Sequence, residues 1–235
     1  MDKVKIAAIS DLHGFLPELK EPADILLIAG DIIPIDIQFN KPATELWLCG
    51  EFKNWIKSLP VEKVYLVAGN HDAYFESRMN LMLLKIAFEK IFDSKLTYLQ
   101  NETARYVTNS GKLITIFGSP YCVEFGNWPF MRTTDYLVNA FKDIPDQCDI
   151  IVVHNPPYNL SDSDVILDEP VWNNQKVHLG SIPLTERLKG VDFKLLVCGH
   201  IHSGSHDLVN KVVNVSYLDE SYTPTYPIFY TEIEV

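Results

Sequence analysis

The hydrophobic pattern of this chain is set by short apolar runs, each closed by a polar cluster. Residues 64–68 form such a run without polar alternation, as in a strand buried on both faces. Gly69 ends it, letting the backbone turn sharply, and Asn70-His71-Asp72 follow. Four further stretches repeat the arrangement. Residues 4–9 lead into Ser10-Asp11-Leu12-His13-Gly14, and 25–29 into Gly30-Asp31. Residues 150–153 lead into His154-Asn155-Pro156-Pro157, and 193–197 into the segment Gly199-His200-Ile201-His202.

Between these strands the period changes. A helix is predicted over about 44–59, with Leu46, Cys49, Phe52, Ile56 and Leu59 near helical spacing and Pro60 as its stop. A second is predicted over about 79–92, with Met82, Leu83, Ile86 and Ile91 on its apolar side. Residues 96–99, 104–108 and 113–117 read as strands, the last two joined by a turn at Asn109-Ser110-Gly111-Lys112. Residues 119–131 form an aromatic-rich loop, and 134–142 a helix. After an irregular polar stretch at 159–178, a short helix near 183–188 precedes the 193–197 strand, and the tail holds strands at 212–215 and 228–233. The alternation of strands and helices predicts an α/β fold. No repeat, linker or low-complexity segment interrupts it, so a single domain over 1–235 is expected.

With 47% hydrophobic and 22% charged residues, the composition is that of an ordinary soluble protein. No run approaches the ~20 apolar residues needed to cross a bilayer. Residues 1–6 lack the apolar stretch of a signal peptide, so a cytoplasmic location is expected. Cys49, Cys122, Cys148 and Cys198 are scattered, which supports neither a zinc knuckle nor a disulfide framework. Cys198 reads as a small core residue. A net charge of −11 argues against gripping long nucleic acid through its phosphates. It leaves open a small phosphorylated substrate, because bound divalent cations invert the local field.

The strand ends carry the chemistry. Asp11, His13, Asp31, Asn70, His154, His200 and His202 are all metal-ligand types, and His71 adds one more imidazole. Ligands collect at the carboxyl ends of strands in sheets with helical crossovers. Each residue alone has a plainer use, the Asp and Asn in turns or caps and each His in a satisfied core site. Their recurrence at five strand ends favours metal binding. Imidazole and carboxylate suit borderline to hard divalent ions. Seven ligands suffice for two ions: Asp11, His13 and His202 for one, Asn70, His154 and His200 for the other, with Asp31 between them. Such pairs clamp the attacking and leaving oxygens of an in-line displacement at phosphorus. Manganese is the first expectation, with iron, zinc, cobalt and nickel as alternatives.

Asp11-x-His13, Gly30-Asp31, Gly69-Asn70-His71-Asp72, His154 and Gly199-His200-x-His202, in this order, resemble the motif set of the calcineurin-like metallophosphoesterases. The resemblance implies a four-layer α/β/β/α sandwich with two mixed β-sheets, and a dinuclear site with the ligands above. It further implies attack on phosphorus by a hydroxide held between the ions. His71 would not be a ligand; it would face the phosphate and protonate the leaving oxygen, with Asp72 orienting it through its second ring N–H. Gly118-Ser119-Pro120, Phe125-x-x-Trp128-x-Phe130, Ile144-Pro145 and His154-x-Pro156-Pro157 are similar to the small metallophosphoesterases of the MPPED type. That group is associated with cyclic-nucleotide phosphodiesterase activity. Asn155 stands where the group usually has Gly, and Pro129 where it usually has Ala.

Phe125, Trp128 and Phe130 read as a platform for a nucleobase or as a plug joining the loop to the core. Arg132 reads as a contact to a second phosphate oxygen or as a surface salt bridge, and Asn155 as a substrate contact. His178 and His206 belong to no motif and are expected in solvated loops. The rival functions are a monoester or phosphoprotein phosphatase, a nuclease, and a scaffold that binds metal without catalysis. The acidic charge counts against the nuclease, and the complete ligand set against the scaffold.

Overall fold

The computed structural model describes residues 3–76, 81–166 and 177–235. The chain opens with β1 (Lys3–Ile9), β2 (Ala23–Ile28), α1 (Lys41–Trp47), α2 (Lys53–Ser58) and β3 (Val61–Leu66). The short α3 (Ala73–Glu76) and α4 (Leu81–Ile91) lead to β4 (Leu96–Tyr98), β5 (Glu102–Val107) and β6 (Leu113–Ser119). A small parallel ladder of β7 (Cys122–Val123) and β8 (Met131–Arg132) precedes α5 (Thr134–Ala140) and β9 (Ile150–Val153). An antiparallel ladder pairs β10 (Val165–Ile166) with β11 (Val177–His178). The remaining elements are α6 (Ile182–Leu188), β12 (Leu195–Cys198), β13 (Val212–Asn214) and β14 (Phe229–Glu234).

Two five-stranded mixed sheets result, in the orders β14-β1-β2-β3-β4 and β13-β12-β9-β6-β5. Each is parallel except at one edge, where β14 runs against β1 and β5 against β6. Strand parity explains the layers. Val4, Ile6, Ala8, Ile25 and Leu27 of the first sheet meet Ile150, Val152, Leu195 and Val197 of the second in one buried cluster. The alternate residues turn outward. Ala7, Ile9, Leu26 and Ile28 share a cluster with Trp47, Phe52 and Ile56, and Ile151, Val153 and Leu196 share it with Leu137, Phe141 and Leu184. Both faces of each central strand are therefore covered, which is why these strands read as continuous apolar runs. The four-layer α/β/β/α sandwich follows.

The predicted 44–59 helix starts earlier, capped by Asn40, whose side chain accepts from the Ala43 N–H at 3.3 Å. It passes through a π-helical turn at Leu48–Phe52 before α2. The apolar side assigned to the second helix is corrected at three of its four residues, Ile91 packing against the core as expected. Leu84 and Phe88 of α4 are buried, in a cluster with Phe75 and Tyr98, while Met82, Leu83 and Ile86 lie in solvent. The helix holds two apolar stripes, and aromatic packing beneath it selects one. Residues 79 and 80 lie outside the described residues.

The expectation for His178 and His206 is corrected too. His178 Nδ1 lies 2.8 Å from the buried Asp164 carboxylate, and the His206 ring stacks on Tyr226 at 3.7 Å. Part of the 159–178 stretch, at β10 and β11, is thus organised around a hydrogen bond from His178 to Asp164; residues 167–176 lie outside the described residues.

Hydrogen bonds join the two sheets at one edge. The Ser10 N–H donates to Val215 O at 2.8 Å, and the Tyr217 N–H to Ser10 O at 2.9 Å. Within the second sheet, the Gly199 N–H donates to His154 O at 3.0 Å and ties the end of β12 to that of β9. The carboxyl ends of β1, β2, β3, β9 and β12 meet at that edge.

Candidate metal centre

At the strand ends the backbone leaves ordinary geometry. Asp11, His13, Asp31 and His200 have φ of 53°, 42°, 53° and 70°. Non-glycine residues adopt this left-handed conformation rarely, and it recurs at functional sites. Neighbouring chains also approach closely. A Cβ on Gly69 would lie 2.2 Å from Asp31 Oδ1, and one on Gly199 would lie 2.3 Å from Asp11 Oδ2. Glycine is required at both places to let the carboxylates in.

The structure brings together all seven residues expected as ligands. Asp31 Oδ2 stands 3.9 Å from His13 Nε2 and 3.2 Å from His154 Nε2, between the two groups. Asp11 Oδ1 lies 3.4 Å from His202 Nε2, and the ligand atoms of Asp11, His13 and His202 are all within 4.8 Å of one another. On the other side, His154 Nε2 is 3.0 Å from Asn70 Oδ1, and the His154 and His200 rings are 5.0 Å apart. Backbone donors hold the carboxylates: the His71 N–H donates to Asp31 Oδ1 at 2.7 Å, and the His200 N–H to Asp11 Oδ2 at 3.1 Å. The Ser216 hydroxyl donates to Asp11 Oδ2 at 2.7 Å.

The imidazoles fit a cation. His154 Nδ1–H donates to Ala29 O at 2.7 Å and His202 Nδ1–H to Asp219 O at 2.9 Å, so each ring turns Nε2 inward. His13 has both ring nitrogens buried without a hydrogen-bond partner among the described residues. Such orphaned atoms are costly and call for a ligand.

The electrostatics agree. Burial opposes ionisation of Asp11 and Asp31, but His202 beside the first and His154 beside the second outweigh it, holding both carboxyls well below their usual range. In turn, burial opposes the charge on His154 and His202, yet Asp31 and Asp11 raise each to about 9. Burial dominates at His13 and His200, lowered to about 4 and about 3. Without cations, two imidazolium groups balance the buried carboxylates. Divalent ions would replace those protons.

His71 lies at this centre, its ring 5.0 Å from that of His13. The expected pairing with Asp72 is corrected. His71 Nδ1 faces Gln38 Oε1 at 2.9 Å, whereas the Asp72 carboxylate accepts backbone N–H groups of Ile32 (3.0 Å), Ile33 (3.0 Å) and Gly69 (2.9 Å). Asp72 ties the turn after β3 to the turn after β2. Burial and nearby Asp31 push it up to about 7 against the pull of those N–H groups.

The rim divides the expected substrate residues. Trp128 is 36% exposed, with its ring 4.7 Å from that of His71 and a further stack on Phe39 at 6.2 Å. Phe125 stands in solvent with its ring 5.6 Å from that of His200. Phe130 is corrected to a plug: it is fully buried against Tyr121, at φ 59°. Arg132 is corrected to a structural pair, bonding Glu76 Oε1 at 2.6 Å with its guanidinium over Tyr121 and Tyr136. Asn155 is buried and accepts from the Val123 N–H at 2.9 Å, anchoring the aromatic loop to the end of β9, while its Nδ2 has no partner among the described residues. Cys122, which no sequence pattern marks, places its sulfur within 4.8 Å of ligand atoms of His154 and His200.

A cluster of buried carboxylates and imidazoles at the strand ends of a double-sheet sandwich defines a metallophosphoesterase-type centre. The family model for calcineurin-like phosphoesterases matches residues 4–204, and the chain belongs to that family. Metallophosphoesterase domain-containing protein 1 of Homo sapiens is 27% identical over 244 residues, taking in 95% of this chain and 69% of that protein. One crystal structure superposes with a TM-score of 0.65 at 18% identity, over 94% of this chain and 92% of the other. Phosphopantetheinyl hydrolase from Mycobacterium tuberculosis superposes with a TM-score of 0.51 at 15% identity, over 90% and 88%. These two likenesses concern the fold alone.

Proposed function

We propose that this phosphoesterase is a phosphodiesterase with two divalent cations, acting on a small substrate such as a cyclic nucleotide. The observation that carries the reading is the position of Asp31, whose one carboxylate stands between His13 and His154. Asp11, His13 and His202 would hold one cation, Asn70, His154 and His200 the other, with Asp31 shared; manganese is the first expectation. When bound, the cations would supply water activation and Lewis acidity at phosphorus.

The chain's own groups do the rest. His71 lies beside the ligand cluster with its Nδ1–H held by Gln38; as the imidazolium, protonated at Nε2 as well, it would give that second proton to the leaving oxygen and remain as the Nδ1–H imidazole. Trp128 next to His71 and Phe125 next to His200 flank the centre with exposed aromatic faces, suited to stacking a base. The net charge of −11 favours a small substrate over a nucleic-acid strand.

The test is turnover of bis(p-nitrophenyl) phosphate beside p-nitrophenyl phosphate, with manganese and with each of the other ions, followed by cyclic nucleotides. Diester hydrolysis exceeding monoester hydrolysis supports the reading. Preference for the monoester would make the protein a phosphatase, and turnover of neither with any ion would leave a metal-binding scaffold.

A further inference from the structure

The turn that presents His13 also forms the wall of a groove. Gly14, at φ +95°, donates its N–H to Ile32 O at 3.0 Å, and the Phe15 N–H returns to Leu12 O at 2.8 Å. A groove of about 620 Å³ opens here, sharing His13 with the metal centre and lined by Phe15, Pro34, Ile37, Leu46, Trp47 and Gly50. That volume is typical of a small-molecule site. Phe15 is 44% and Leu46 76% exposed, an apolar surface left open to water beside a catalytic centre.

Two further observations describe what the groove accepts. Its carboxylate lining residues are Asp36 and Glu51, and among the described residues no Lys or Arg lines it, so a second phosphate or a carboxylate is disfavoured. Gly50 lies in the π-helical turn Leu48–Phe52, and a Cβ built on it meets nothing within 4 Å. π-helical turns recur at functional sites, and here the missing side chain leaves open space.

We infer that this groove binds an uncharged, apolar ester substituent of the substrate, carried beside the phosphoryl group at the metal centre. The inference rests on the phosphodiester reading above. A ligand held at both places is positioned through His13, the residue common to them.

The experiment is a series of p-nitrophenyl alkyl phosphates, with methyl, butyl and octyl substituents and an octyl analogue ending in a carboxylate. In the wild type, kcat/KM should rise with chain length by up to about fourfold per methylene, the factor for complete transfer from water. Gly50→Leu should flatten the series, and Leu46→Asn should reduce its slope. A flat wild-type series, an equal gain for the terminal carboxylate, or a Gly50→Leu series of unchanged slope would overturn the inference. The slope is a ratio within one protein, so partial loss of folding or metal cannot mimic it. A second measurement needs no turnover. In EDTA, 1-octanol, which carries the octyl group without a phosphate anion, should shift the Trp47 indole N–H resonance, assigned through Trp47→Phe. A shift without turnover of any diester would sink the catalytic reading and support the groove; no shift would sink the groove.

Discussion

Gln38 Oε1 sits 2.9 Å from His71 Nδ1, and the other end of the same amide donates from Nε2 to Ile35 O at 3.0 Å. The second bond fixes which way the amide points, and with it the site of one hydrogen on His71: Nδ1 carries it throughout, and Nε2 is the nitrogen that, when protonated as well, gives up the second proton. Gln38 is buried, so this geometry is shielded from water. A neutral carbonyl, not a carboxylate, orients the imidazole. Gln38→Leu should lower kcat roughly 10- to 100-fold, a part of the 10²–10⁴ that general acid–base catalysis contributes. The loss should be larger for alkyl than for p-nitrophenyl leaving groups, since the better leaving group needs less proton transfer. Gln38→Glu keeps an acceptor for Nδ1 but sets its second oxygen against Ile35 O, so it should recover only part of the rate. An equal loss for both leaving groups would assign Gln38 a structural role only.

His71 and Asp72 are neighbours in sequence whose replacement should have opposite consequences. His71→Ala removes the proton donor and should cost about 10²–10⁴ in kcat with bound metal unchanged. Asp72→Ala strands the buried N–H groups of Ile32, Ile33 and Gly69. At about 1–3 kcal/mol for each unsatisfied group, the loss should exceed roughly 3 kcal/mol. For a chain of this size that lowers Tm by roughly 6–12 °C. Thermal denaturation of the two variants side by side, with metal content and kcat, separates the roles; an unchanged Tm for Asp72→Ala would refute the anchoring role.

Gly69 is a more selective probe of the centre than any ligand. A methyl group there would overlap Asp31 Oδ1 at 2.2 Å and His154 Cε1 at 2.6 Å, without removing a donor atom. Gly69→Ala should therefore displace the shared carboxylate and weaken metal binding roughly 10- to 100-fold, the size seen when the support of a metal ligand is lost. Metal analysis after dialysis should find fewer than two ions per chain. Two ions held at wild-type affinity would show that Asp31 is not shared.

The strand ends were legible because an apolar run followed by Gly and ligand-type residues is a local pattern: Asp11, Asp31, Asn70, His154 and His200 each follow their own strand. Pairings between turns were not. Asp72 looks like a partner for adjacent His71, yet its acceptors point away to Ile32 and Ile33, forty residues earlier in the chain, and only the parallel pairing of β2 with β3 reveals this. Gln38 sits in a loop without periodicity. Trp128 and Phe130 share one alternation, but a left-handed backbone at Phe130 turns that ring inward while Trp128 stays at the rim. In α4 the two apolar stripes are equivalent by composition, and Phe75 and Tyr98 beneath decide between them.

The pH dependence of the metal-free chain follows from its histidines. Beside Asp31 and Asp11, and despite burial, His154 and His202 titrate at about 9 in the folded state, against 6.5 in the unfolded chain. Between these values the native state binds more protons, so stability falls as pH rises from 6.5 to about 9. His13 and His200 act in the opposite sense. Burial lowers them to about 4 and about 3, so the unfolded chain takes up protons first below 6.5 and stability falls again toward acid. Asp72, at about 7, offsets part of the acid-side loss, because the folded state holds its proton between 3.8 and that value. The Tm of the protein in EDTA should therefore peak near neutrality and decline toward pH 9. Cations change the alkaline side. They require neutral imidazoles, so binding at pH 7.5 should release protons from His154 and His202, and the decline between 6.5 and 9 should disappear in the loaded protein. Calorimetric titration of manganese in buffers of different ionisation enthalpy measures the release. Binding heats independent of the buffer would show that neither histidine gives up a proton to a metal.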